Sequence, residues 1–161
     1  MDYKKYQASR NLAWEVLLQE GVCELPVSTS KLCRSLGIHL SYGETGEGND
    51  GYSAMIGDVM YIVIRKGMSP GRTRFTIAHE LGHILLGHID TYTLVNREPS
   101  ASDNPIEQAA NVFASRLLAP ACVLWGCGAR TADEIAELCN ISRQAAEIRA
   151  ERMAELYRRD K

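Results

Sequence analysis

Phe75-Thr-Ile-Ala-His-Glu-Leu-Gly-His-Ile-Leu-Leu86 sets two imidazoles and a carboxylate into an otherwise apolar run. Residues four apart on an α-helix are neighbours, so His79 and His83 aim their rings at a common place, where one metal ion can take both. Glu80 projects beside His83, placed to hold a water rather than the metal, and reads as a general base. Zinc brings the pKa of a water it holds to about 7, which lets such a carboxylate take the proton. The competing reading makes these two core histidines, each satisfied by a hydrogen bond. Phe75, Ile77, Ala78, Leu81, Ile84 and Leu85 make the helix apolar on most sides and imply burial. Two buried imidazoles beside a buried carboxylate are unfavourable unless something pairs them, which favours the metal.

A catalytic zinc site takes three protein ligands, so a third is needed. A metzincin would carry Gly three residues after His83 and His six after it. Those positions hold Leu86 and Ile89, which excludes that class. His88 falls about 140° around a continuing helix from His83 and reads as a helix-end or surface histidine near Gly87. Pro105-Ile-Glu-Gln-Ala-Ala-Asn-Val-Phe-Ala-Ser-Arg-Leu-Leu118 reads as a second amphipathic helix, with Glu107 in its first turn and Asn111 one turn on. A carboxylate from a following helix closes a gluzincin-type site and leaves the fourth position for water or substrate, so Glu107 is the expected third ligand. Ala109, Ala110 and Ala114 let this helix come close to the first, as does Gly82 at a helix cost of about 1 kcal/mol. Asn111 either orients a ligand histidine through its other ring N–H or serves in capping or packing. Zn2+ is the expected metal; an N,N,O donor set also accepts Mn2+, iron or cobalt.

Upstream, Tyr6 to Gln19 and Ser28 to Leu36 carry helical signals and form an N-terminal lid or brace. Ile38 to Tyr42 reads as a strand, followed by the Gly-rich acidic connector Gly43-Glu-Thr-Gly-Glu-Gly-Asn-Asp50. Tyr52 to Ile56, a Gly57-Asp58 turn and Val59 to Ile64 make a β-hairpin. Ser69-Pro70 starts the first of the two site helices. Arg72 and Arg74 in its first turns oppose the helix dipole and call for a partner, either an acidic residue of the fold or a substrate carboxylate. The stretch 90–104 lacks a pattern and reads as a loop framing the site.

Thr131-Ala-Asp-Glu134 starts a helix with a capping box, and Ser142 caps another running to Tyr157. The pair looks like a helix-turn-helix. From Thr131 onward six Lys and Arg face seven Asp and Glu. A segment without basic excess is a poor DNA binder, so direct DNA contact is not expected and the pair reads as structural or as a docking surface.

Arg72-Thr-Arg-Phe-Thr-Ile-Ala-His-Glu-Leu-Gly-His83 followed by Glu107-Gln-Ala-Ala-Asn-Val-Phe-Ala-Ser-Arg-Leu-Leu-Ala-Pro120 resembles the ImmA/IrrE metallopeptidases, from about Gly51 onward. The resemblance implies a zinc-dependent protease that cleaves a helix-turn-helix transcriptional repressor, relieving repression of a mobile element, prophage or stress regulon. It also implies His79, His83 and Glu107 as ligands and Glu80 as the catalytic residue. A non-proteolytic regulator that binds repressor or DNA through the C-terminal helices is the alternative.

The expected fold is α+β: a small zincin-like domain with a β-hairpin or small sheet packed on the His-Glu-x-x-His helix. One metallopeptidase domain over 1–161 is expected, with N-terminal helices (1–37), a catalytic core (38–120) and a helical C-terminal subregion (131–158). A net charge of −2 gives no electrostatic drive toward nucleic acid or acidic membranes. No apolar run reads as a membrane span or signal segment, and five scattered cysteines read as reduced thiols, so a cytoplasmic location is expected.

Overall fold

β-branched and aromatic residues crowd Val59-Met-Tyr-Ile-Val-Ile-Arg65, and this stretch becomes the central strand of a three-stranded sheet. The computed structural model describes residues 5–89 and 104–159. In chain order the elements are α1 (Gln7–Gln19), α2 (Thr29–Ser35), β1 (His39–Gly43), β2 (Gly51–Ile56), β3 (Val59–Arg65) and α3 (Pro70–Leu85). Then come α4 (Pro105–Leu118), α5 (Ala121–Gly126), α6 (Ala132–Cys139) and α7 (Arg143–Arg159). The fold is thus mixed α+β. The sheet runs β1-β3-β2, with β1 parallel to β3 (His39 opposite Tyr61) and β2 antiparallel to it (Ser53 opposite Ile62). The expected hairpin forms with its turn at Gly57-Asp58. β1 lies one residue later than expected because Ile38 is drawn into the core and its N–H closes α2, donating to the Cys33 carbonyl at 2.8 Å.

Ile62 and Ile64 of β3 are fully buried and share the main core with Ile77, Ala78 and Leu81 of α3. Gly51 marks a close approach of β2 to that helix. A Cβ there would lie 2.8 Å from Thr76 Cγ2 and 3.1 Å from the Val63 carbonyl oxygen, so no other residue fits without displacement. α3 begins as its sequence implies, with Pro70 in the first turn and the Ser69 hydroxyl accepting from the Arg72 N–H. Arg72 donates to both oxygens of Asp50, and Arg65 of β3 reaches the same carboxylate at 2.7 Å. The cation set against the helix dipole therefore has an acidic partner from the fold, while Arg74 donates to the Val27 carbonyl.

α4 packs between α3 and α1, and Ala13, Val16 and Leu17 of α1 join the same core, a bracing position behind α4. Taken together, α4 and α5 (Pro105–Gly126) match a membrane-crossing helix by length and composition only. Here the stretch breaks at Ala119-Pro120, and its apolar Ala110, Phe113, Ala114 and Leu117 are core residues. α5 has no counterpart in the sequence reading, since six residues are too few to show a period.

The capping box of α6 forms: Thr131 Oγ1 accepts from the Glu134 N–H, and the Glu134 carboxylate accepts from the Thr131 N–H at 2.9 Å. Asn140 adopts a left-handed conformation after α6, and the Ser142 hydroxyl caps α7 by accepting from the Ala145 N–H. Ile135, Cys139, Ala146 and Met153 bury one another in a second apolar cluster with Ala119 and Leu124. The five cysteines are free thiols, with Cys33 and Cys139 buried.

Candidate metal centre

Gly82 decides how closely the two site helices meet. A Cβ built on it would lie 2.9 Å from Cδ1 and 3.3 Å from Cβ of Phe113, so the bare backbone of α3 rests on the Phe113 ring of α4. Ala110 and Ala114, both fully buried, complete the contact. Asn104 caps α4 by accepting from the Ile106 N–H at 3.0 Å, which fixes the first turn and with it Glu107.

This packing brings three donors together. His79 Nε2 and His83 Nε2 are 3.0 Å apart, Glu107 Oε2 is 3.0 Å from the first, and Glu107 Oε1 is 3.3 Å from the second. His83 is fully buried and Glu107 nearly so. A tetrahedral ion with N and O ligands at about 2.0–2.2 Å needs its donors about 3.3 Å apart, so this group could hold a divalent metal. Burial alone would push the Glu107 carboxyl up. Hydrogen bonds and charge from His79 and His83 outweigh it and hold the group well below the usual carboxylate range.

The outer faces of both histidines are engaged. His79 Nδ1 lies 2.8 Å from Asn111 Oδ1, which resolves the two roles open to Asn111 in favour of orienting a histidine. His83 Nδ1 lies 3.0 Å from His88 Nδ1. Were both Nε2 atoms to ligate an ion, each Nδ1 would carry the hydrogen and would donate, His79 to Asn111 and His83 to His88. His88 is a helix-end histidine, as read from sequence: α3 stops at Leu85, Gly87 turns with φ +73°, and the His88 N–H bonds back to the His83 carbonyl at 2.9 Å, which sets its ring against His83.

Glu80 is buried beside this group, and the Ser53 hydroxyl of β2 donates to its Oε2 at 2.7 Å. The family model described as the IrrE N-terminal-like domain, Peptidase_M78, matches residues 33–151. The chain belongs to this family. The match begins in α2, upstream of Gly51 where the resemblance by motif starts, and takes in the sheet, both site helices and most of α7.

A solved structure described as a Mycobacterium tuberculosis transcriptional regulator is similar with a TM-score of 0.59 at 15% identity. It covers 86% of this chain and 44% of its own length, so the chain spans less than half of that protein, and the likeness is one of fold alone. No curated protein matches significantly. In this Peptidase_M78 domain, Ser53 and His88 are the polar partners that sequence reasoning missed. A serine at an inward-facing strand position, two residues from Gly51, was the available signal for the first. The stretch 90–103, read as a loop framing the site, lies outside the described residues.

Proposed function

We propose that the chain is a zinc-dependent endopeptidase that cleaves a helix-turn-helix transcriptional repressor in the cytoplasm. His79, His83 and Glu107 would hold the metal in a zincin-like arrangement, with Mn2+ or another divalent ion also admissible. The observation that carries this reading is the convergence of those three donors beside a buried carboxylate, in a chain of a peptidase family. A divalent ion held there would supply Lewis acidity toward a substrate carbonyl and toward water near neutral pH.

Glu80 takes the proton from the attacking water and returns it to the departing amine. Ser53 fixes one of its carboxylate oxygens, and the contact places β2, an edge strand, beside the base. An extended substrate segment would add to that edge as a further strand, so that main-chain hydrogen bonds set its register over the site. The α6–α7 pair, a helix-turn-helix-like unit without basic excess, would present a surface to the repressor rather than to DNA.

Co-expression with the repressor encoded beside the gene, wild type against Glu80→Gln, tests this. Shortened repressor with the wild type alone is the expected result. Full-length repressor in both, with the two proteins still associating, would replace the protease by a binding regulator.

A further inference from the structure

Arg149 of α7 is among the largest fully buried side chains, 1% exposed. Its Nε donates to the Ala119 carbonyl at the end of α4 at 2.7 Å, while both terminal nitrogens are buried without a hydrogen-bond partner. A guanidinium does not lose its proton in a protein, so the charge stays. The negative end of α4 offsets part of the desolvation, but the donors that remain have nothing to bond.

The same side chain lines a cavity of about 690 Å3 between α3, α4 and α7. Sites for small molecules run to about 300–1,000 Å3, mostly apolar with a few placed polar groups. Phe75, Val112, Ile148 and Leu156 supply the apolar wall. Besides Arg149, the lining holds Arg10, Arg72, Arg116 and Arg152, of which Arg72 is bonded to Asp50 and Arg152 lies 3.3 Å from Glu155. None of His79, Glu80, His83 and Glu107 lines it, so it is distinct from the candidate metal centre.

We propose that this cavity binds a small molecule with an anionic head, carboxylate or phosphate, on an apolar body, the head pairing with Arg149. Arg149 and the volume together point to this class: two buried guanidinium nitrogens without a partner ask for an anion, the apolar wall for a hydrophobic body, and the size suits a small molecule. Asn111, which holds His79, and Phe75, whose ring stacks on His79 at 6.4 Å, both line the cavity. An occupant therefore touches side chains that position the metal centre. The inference does not rest on the protease reading.

The test is calorimetric titration of the full chain with octanoate, octyl phosphate and 1-octanol, in the wild type, Arg149→Met and Ala145→Trp. Ala145 lines the same cavity, and a Trp there fills it while sparing the arginines. The expected result is saturable binding of at least one anion, with octanol at least about tenfold weaker and Arg149→Met reducing affinity by at least about tenfold. The tighter anion distinguishes a carboxylate from a phosphate head. Absence of binding by both anions, binding no better than octanol, or wild-type affinity in a folded Arg149→Met would overturn the proposal. If Arg149→Met does not fold, Ala145→Trp decides: lost binding supports the site and retained binding refutes it.

Discussion

His83 and Arg149 are both fully buried polar side chains on helices, one where α3 meets α4 and the other where α7 passes the end of α4. The chain treats them in opposite ways. Around His83 the buried polar groups answer one another: His79 with Asn111, His83 with His88, Glu80 with Ser53, and Glu107 across both histidines. Around Arg149 one nitrogen is answered and two are not. A group left unpaired in the interior is strongly unfavourable, so the contrast separates a site assembled within the chain from one whose counterpart comes from outside.

Three perturbations bear most directly on the first half of that contrast. Replacing Glu80 by Gln should lower repressor cleavage by about 10²–10⁴-fold while leaving metal content and circular dichroism unchanged. If metal were lost as well, Glu80 would belong to the ligand set rather than act as base. Asn111→Ala and His88→Ala should each weaken metal affinity by about 10–100-fold in competition with a chelator. Unchanged affinity in His88→Ala would reduce its contact with His83 to packing.

Gly82→Ala should destabilise the chain by about 1–3 kcal/mol in urea unfolding, because the new methyl group meets the Phe113 ring faster than helix propensity can compensate. Phe113→Leu in the same chain should restore part of that loss. Least affected would be Asp50→Asn, which removes a partly exposed link between Arg65 and Arg72 and should cost under about 1 kcal/mol, less at high salt.

The paired site was largely legible in the sequence, and the unpaired one was not. Helix periodicity placed His79 and His83 on one face, and the pattern from Pro105 to Leu118, with Glu107 in the first turn, matched the second helix to the residue. Small residues at Gly82, Ala110 and Ala114 announced the close contact that shared ligation needs. The contact of His88 with His83 was not legible because a helical wheel assumes a helix that goes on, and this one ends two residues after His83. Ser53 carried no periodic signal of its own, since one serine in an alternating strand gains meaning only from the helix opposite. Arg149 entered the sequence reading as one charge among thirteen near the C-terminus, and pattern alone cannot tell a solvated cation from one folded under Ala119.

α3 and α4 bring His79, His83 and Glu107 together as a candidate metal centre. Elemental analysis of the purified full chain, wild type beside Glu107→Gln, tests it most directly. About one divalent ion per wild-type chain is expected after exposure to Zn2+ and dialysis, with a large loss in Glu107→Gln. A wild type that retains no metal, or a Glu107→Gln chain that retains as much, would contradict it.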